Sequence, residues 1–134
     1  MGFIVDASIC ASWLLPDEVD PIADAARARL LEDEAFTPAI WWYEIRNVIL
    51  VAGRRGRLAQ DRVVSAFKAI EALPLNCVSP ADPAGIMSLA TQHRLTFYDA
   101  AYLSLALRLG FPLASLDDDL RAAARREGVP LVAA

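Results

Sequence analysis

The chain has 134 residues, 56% of them hydrophobic and 22% charged, with a formal net charge of −4 at pH 7. This length suits a single domain, which we place over residues 1–134, with a core that needs no disulfide or metal to stabilise it. Charged residues or proline interrupt every apolar stretch before the roughly 18 residues needed to span a bilayer, so we expect no membrane segment. The start, Met1–Asp6, lacks the basic and long apolar regions of a signal peptide, and we expect a cytoplasmic protein.

The cysteine and histidine content limits the chemistry. Cys10 and Cys77 are the only cysteines and form no CxxC pattern, so we expect two buried free thiols rather than a disulfide or a thiolate zinc site. His93 is the only histidine, which argues against a histidine-based metal site and an imidazole acid–base pair. Any hydrolytic chemistry must therefore use carboxylates.

The acidic balance, taken alone, counts against a nucleic-acid substrate. However, 12 of the 13 cationic side chains are arginines, which are suited to bidentate phosphate contacts. Bound divalent cations would also change the field of an acidic cleft. Five arginines are candidates for contact with a nucleic-acid backbone, although each is more commonly solvated surface. They are Arg46, Arg54, Arg55, Arg57 and Arg94.

Short apolar strands alternate with helices along the chain. The first strand, Phe3–Val5, ends at Asp6. Strands joined through helices predict a parallel sheet covered on both faces, which is an α/β fold with three layers, α/β/α, around a short central sheet. No linker, repeat or low-complexity segment divides the chain. The other predicted strands lie near residues 35–37, 75–78, 113–115 and 130–132.

The helix ends carry sequence signals. An Asp-Pro pair at residues 20–21, and another at 82–83, supplies an N-cap followed by proline at the first helical position. Gly53, Gly110 and Gly128 are predicted to end helices. The predicted helices cover residues 8–15, 21–32, 39–52, 61–73, 83–93, 98–109 and 118–127.

The helix over residues 39–52 is apolar almost all the way round. We therefore expect it to be covered on more than one face, as a central helix or as one shared with a partner. Trp13, Trp41 and Trp42 are expected in the core, since large aromatic residues at helical spacing usually lie there. The alternative is a dimer contact or a groove for the amphipathic helix of a partner.

Four acidic residues are candidates for a site, and two of them are expected at the carboxyl edge of the sheet, where ligands bind in open parallel sheets. Asp6 follows the first strand, and Asp117 comes two residues after Ser115 at the end of another. Asp99 lies in the first turn of its helix, where backbone dipoles favour negative charge. Glu44 lies on the apolar helix, where an acid is costly to bury unless it is paired or bound to a metal.

Such a group of carboxylates needs cations or protons. Two like charges about 4 Å apart repel by roughly 4 kcal/mol at an effective dielectric constant near 20. Mg²⁺ prefers oxygen ligands and keeps several waters when carboxylates bind it, and a pair of such ions can polarise a phosphodiester and activate water. The acids therefore predict metal-dependent hydrolysis that uses no histidine.

Each acid also has a structural interpretation. The acid after the first strand could be a turn residue. Asp99 could form a capping box with Thr96, because Thr-x-x-Asp matches that pattern. Residues 117–119 could cap the last helix, and capping is the interpretation we favour for Asp118 and Asp119.

Four stretches carry a family resemblance, and each contains one of the four acids. They are Ile4–Ser8 together with Trp13–Glu18, Pro38–Asn47, Leu95–Leu103 and Leu113–Leu120. In this order they make the chain resemble a PIN-domain protein, specifically the VapC toxin branch of bacterial toxin–antitoxin pairs. The resemblance extends over nearly the whole chain.

The resemblance implies a Mg²⁺-dependent endoribonuclease, with Mn²⁺ as the alternative ion, that cleaves structured RNA such as tRNA or rRNA. Asp6, Glu44, Asp99 and Asp117 match the family's metal-binding acids, which we take as catalytic residues and metal ligands. It also implies a homodimer and a cognate VapB-type antitoxin, which often contributes an arginine to the acidic site. The net negative charge suits a basic inhibitor.

The resemblance also covers supporting residues. Ser8 and Ser115 match small hydroxyl positions beside the acids, and Asn47 matches a polar position near the glutamate. Ser12 stands where relatives often carry lysine, which removes a phosphate contact, and Ser115 stands where threonine is commoner.

Two other functions stay open. The first is an inactive PIN-like binding module that sequesters a partner or RNA. The second is an aspartate-nucleophile phosphatase, which usually has another aspartate two residues after the first, where Ser8 stands here.

Overall fold

Four strands form one parallel sheet in the computed structural model, which describes residues 1–134. They are β1 (Gly2–Val5), β2 (Glu34–Pro38), β3 (Leu75–Val78) and β4 (Leu113–Ala114), in the spatial order β3-β2-β1-β4. All neighbouring strands in the sheet run parallel. A parallel pair needs a long crossover connection, and helices supply these connections between the strands. The predicted α/β fold with three layers is confirmed.

Seven helices cover the sheet, at positions close to those predicted. Asp20 begins one of them by accepting a hydrogen bond from the backbone N–H of Ile22 at 2.8 Å, as the Asp-Pro signal predicted. None of the helices is long and apolar enough to cross a membrane. They are α1 (Ala7–Leu14), α2 (Pro21–Arg29), α3 (Ile40–Arg54), α4 (Gln60–Ala72), α5 (Pro83–His93), α6 (Phe97–Leu109) and α7 (Asp118–Arg126).

Two boundary predictions are wrong. Helix α3 continues past Gly53 to Arg54, and the glycine that follows this helix with a positive φ, 71°, is Gly56. Gly53 instead allows α3 to approach α4, since a Cβ added there would lie 2.9 Å from Cγ2 of Val63. The strand predicted at residues 130–132 is not formed. Only a single bridge, between Leu131 and Leu113 of the two-residue strand β4, occurs there.

The core surrounds β1, whose residues Phe3–Val5 are fully buried. Cys10 is buried as expected, but the prediction for Cys77 is wrong: it is exposed, because β3 is an edge strand. Trp41 is buried, and its indole N–H donates to Sγ of Cys10 at 3.3 Å. Trp42 is 48% exposed, so the core prediction fails for this residue.

Helix α3 buries one face only. Trp41, Ile45 and Ile49 lie in the core, whereas Trp42 and Leu50 point to solvent. The expected cover on a second face is therefore not supplied by this chain. This partly apolar surface is the part of α3 that a partner would have to cover.

Candidate active site

Asp6 lies where β1 ends, and it is also the N-cap of α1. Its carboxylate is 5% exposed. Oδ1 accepts hydrogen bonds from the hydroxyl of Ser8 at 2.6 Å and from the N–H of Ile9 at 3.1 Å, and Oδ2 accepts one from the hydroxyl of Ser115. Three donors thus fix both oxygens of this buried carboxylate and leave room for about one further ligand.

The two serines also connect distant loops. The oxygen of Ser8 accepts a hydrogen bond from the N–H of Leu116 at 2.9 Å, and that of Ser115 accepts one from the N–H of Asp117 at 3.0 Å. Each hydroxyl therefore bridges Asp6 to the loop that follows β4. This network sets the position of Asp117 relative to Asp6.

Asp117 is the N-cap of α7, where its Oδ1 accepts a hydrogen bond from the N–H of Leu120 at 2.8 Å. Asp118 and Asp119 lie inside the first turn of α7, so the preference for these two as caps is wrong. The reason is the early end of β4 at Ala114, which leaves Asp117 with the extended backbone that an N-cap needs. Asp117 is exposed, and its second oxygen accepts no hydrogen bond.

Asp99 lies in the first turn of α6, three residues after the N-cap Thr96. The N–H of Asp99 donates to the hydroxyl of Thr96 at 3.0 Å, which is half of the predicted capping box. The reciprocal bond, in which the Asp99 carboxylate would accept from the backbone N–H of Thr96, is not formed. Asp99 is half-buried.

Glu44 lies on α3 and is half-buried. Its Oε1 accepts a hydrogen bond from the hydroxyl of Tyr102 at 2.6 Å, and Oε2 accepts none. Asn47, one turn later on α3, is exposed and makes no side-chain hydrogen bond, so its supporting role stays a prediction.

Burial and mutual repulsion raise the pKa of three of the acids. Burial raises the pKa of Asp6 to about 6, although the hydrogen bonds from its two serine partners oppose this. Burial also raises the pKa of Glu44, against the hydrogen bond from Tyr102 and with a contribution from the charges of Asp99 and Asp6. The pKa of Asp99 is raised by burial and then by the charge of Asp117.

Asp99 interacts electrostatically with each of the other three acids. Its charge raises the pKa of both Asp6 and Glu44, and its own pKa responds to Asp117. The acids come from four distant segments of the chain, so only the fold brings them within electrostatic reach of one another.

The donor set fits Mg²⁺ in its chemistry. All candidate ligands are carboxylate oxygens, and two of the acids, Glu44 and Asp117, keep one oxygen free of hydrogen bonds. No three acidic, histidine or cysteine side chains are gathered closely enough to enclose a metal ion. An ion that keeps several waters and contacts one or two carboxylates suits such an open arrangement.

Comparison with known proteins decides the family. The family model described as PIN domain matches residues 3–126. The chain belongs to the PIN-domain family. Within it, the chain is 31% identical over 124 residues to Ribonuclease VapC3 of Pyrobaculum aerophilum, a match that covers 90% of this chain and 92% of that protein. This PIN domain is thus of the VapC type, as its sequence motifs predicted.

Solved structures share the fold. PAE2754 of Pyrobaculum aerophilum has a TM-score of 0.72 at 22% identity, covering 92% of this PIN domain and 84% of that chain. FitAcB of Neisseria gonorrhoeae has a TM-score of 0.67 at 18% identity and coverages of 99% and 97%. VapC20 of Mycobacterium tuberculosis, described as a Sarcin-Ricin loop cleaving toxin, has a TM-score of 0.57 at 16% identity and coverages of 90% and 94%.

Sequence analysis missed two residues of the site. Tyr102 was not singled out, although its spacing three residues after Asp99 places both on one face of α6. Asp119 was assigned to capping, but its charge raises the pKa of Asp99. One arginine considered for RNA contact already has acidic partners. Arg57 donates hydrogen bonds of 2.9–3.2 Å to Asp17 and Glu18, so its guanidinium is less available to a phosphate.

Proposed function

We propose that this single PIN domain is a Mg²⁺-dependent endoribonuclease that cleaves structured cellular RNA, such as tRNA or rRNA, as the toxin of a VapBC-type pair. The observation that carries the proposal is the buried carboxylate of Asp6 at the end of β1, whose partners Ser8 and Ser115 tie it to the loop that holds Asp117. The names of its relatives support an RNA substrate, since one is a ribonuclease and another cleaves the Sarcin-Ricin loop.

The proposed catalytic residues and metal ligands are Asp6, Glu44, Asp99 and Asp117. Bound Mg²⁺, or Mn²⁺, would supply an activated water and positive charge opposite the scissile phosphate. Asp6 is held by its serine partners in a fixed orientation, which removes the need to reorganise this ligand during the reaction. Asp117 offers an oxygen, Oδ2, that accepts no hydrogen bond.

The proposed partners are a VapB-type antitoxin and a second copy of the chain, in the cytoplasm. The antitoxin proposal rests on the VapC-type family and on the net charge of −4, which favours a basic inhibitor. The homodimer proposal rests on the uncovered side of α3, where Trp42 and Leu50 are exposed.

A nuclease assay with purified protein and structured RNA tests the activity. The wild type should cleave RNA with Mg²⁺ and should not cleave it in EDTA. The rate of Asp99→Asn should be lower by at least about 100-fold, because the substitution removes the charge of a proposed metal ligand. Asp118→Asn is the matched control, since Asp118 lies in the exposed first turn of α7, and it should retain activity. RNA binding without cleavage by the wild type would support the inactive binding module instead.

The product ends test the route of hydrolysis. Attack by a metal-activated water gives 5′-phosphate and 3′-hydroxyl ends, and the chain offers no histidine pair to activate the RNA 2′-hydroxyl. End-labelling of the first products before and after phosphatase treatment distinguishes the two routes. Initial 2′,3′-cyclic phosphates would contradict the proposed mechanism.

A further inference from the structure

One buried contact joins the two helices that carry Glu44 and Asp99. The side chain of Tyr102 is 1% exposed, and its hydroxyl donates to Oε1 of Glu44 at 2.6 Å across 58 positions of sequence. This is the only hydrogen bond made by either side chain. A buried tyrosine hydroxyl needs a partner, and here that partner is a proposed metal ligand.

The position of Tyr102 on α6 adds to the significance of this contact. It lies three residues after Asp99, so the two side chains share one face of the helix. The ring is enclosed in the core, which fixes the hydroxyl relative to α6. The hydrogen bond therefore connects Glu44 on α3 to α6, the helix that carries Asp99.

We infer that Tyr102 is a positioning residue that holds the Glu44 carboxylate in one orientation and leaves Oε2 available to the metal. Glutamate has three rotatable side-chain bonds, and without a partner a half-buried carboxylate would populate several rotamers. Hydrogen bonds to metal-binding carboxylates orient the ligands in this way. The inference rests on the proposed metal-dependent function.

The state of the tyrosine agrees with this role. The hydroxyl of Tyr102 is the donor and Oε1 of Glu44 is the acceptor, since an ionised carboxylate has no proton to donate. A purely structural role would also satisfy the buried hydroxyl. The two roles differ in their consequence for metal affinity.

Binding of Mn²⁺ alone, measured from the electron paramagnetic resonance signal of free Mn²⁺, tests the inference without a nuclease reaction. Tyr102→Phe keeps the ring and removes the donor, and it should weaken Mn²⁺ affinity by between about 10-fold and 100-fold. The matched control is Tyr98→Phe on the same helix, where the hydroxyl makes no hydrogen bond and the side chain is 55% exposed. This control should bind Mn²⁺ as the wild type does.

A second background shows whether Tyr102 acts through Glu44. Glu44→Asp keeps the charge but shortens the side chain away from the hydroxyl, so it should itself weaken Mn²⁺ affinity by about 10-fold. Adding Tyr102→Phe to Glu44→Asp should then change the affinity by less than about twofold, because the contact is already lost.

The outcomes separate the inference from the proposed function. Equal Mn²⁺ affinity of the wild type and Tyr102→Phe, or equal loss from Tyr102→Phe in both backgrounds, would overturn the positioning role alone. If Tyr102→Phe does not fold, the test uses Glu44→Asp alone. The positioning role is then overturned if Glu44→Asp binds Mn²⁺ with the same affinity as the wild type. A wild type that binds no Mn²⁺ at millimolar concentration would overturn the proposed metal-dependent function together with this role.

Discussion

Asp6 illustrates how opposing effects on a single residue are resolved. Hydrogen bonds from Ser8, Ser115 and the N–H of Ile9 favour its charged form, whereas nearly complete burial favours the neutral one. Burial is the larger effect, and the pKa of Asp6 is about 6. Bound cations would reverse this balance, because they stabilise the carboxylate directly.

The raised pKa of Asp6 predicts how stability changes with pH in EDTA. Between the ordinary pKa of 3.8 and the folded value of about 6, the folded state holds this proton more tightly than the unfolded chain does. The contribution of Asp6 to the free energy of unfolding therefore decreases as pH rises through this interval. Urea unfolding across the same interval should show a smaller decrease in Asp6→Asn than in the wild type. Asp118→Asn should keep the wild-type slope, and an unchanged slope in Asp6→Asn would show that Asp6 does not titrate there.

At the scale of helices, capping occupies one oxygen of Asp117 and leaves the other for the proposed metal ion. Asp6 caps α1 through Oδ1, and Asp117 caps α7 through Oδ1. In Asp117, Oδ2 remains free of hydrogen bonds. The structural and functional interpretations of these acids are therefore compatible, and α1 and α7 both begin at the proposed site.

Substitutions at Asp117 separate the two roles. Asp117→Ala removes the cap of α7 and should lower the free energy of unfolding by about 0.5–2 kcal/mol. Asp117→Ser keeps an oxygen that can cap but removes the charge, so it should retain most of the stability and still lose nuclease activity. Asp118→Ala should change stability little, because Asp118 does not cap. These values come from urea unfolding in EDTA, and equal losses in Asp117→Ala and Asp118→Ala would contradict the cap assignment.

At the scale of the whole molecule, the fold holds together acids that repel one another. The four acids are far apart in sequence. Two of them come after strands, Asp6 after β1 and Asp117 after β4. The other two lie on helices, Glu44 on α3 and Asp99 on α6. The metal-free protein therefore loses some stability to this repulsion, and a bound cation should restore it.

Four melting curves test this relation: the wild type and Asp99→Asn, each in EDTA and in excess Mg²⁺ at neutral pH. Asp99→Asn should melt at a higher temperature than the wild type in EDTA, because the charge that burial and Asp117 disfavour is removed. Mg²⁺ at about ten times its Kd should stabilise the wild type by roughly 1.4 kcal/mol and the variant by less. A wild type that does not respond to Mg²⁺, with a variant less stable in EDTA, would leave Asp99 with a purely structural role in the first turn of α6.

The sequence by itself determined the parallel sheet and most helix positions, because hydrophobic periodicity, Asp-Pro starts and glycine ends are local signals. The four candidate acids followed from their places after strands and on helices, and from the resemblance to the PIN-domain family. Only the tertiary structure decided which face of α3 is buried, that Cys77 lies on an exposed edge strand, and that Asp117 rather than its neighbours caps α7. The contact between Tyr102 and Glu44 also needed the fold, since it joins residues 58 positions apart. Such contacts depend on how helices pack across the sheet, and no local pattern in the sequence encodes that packing.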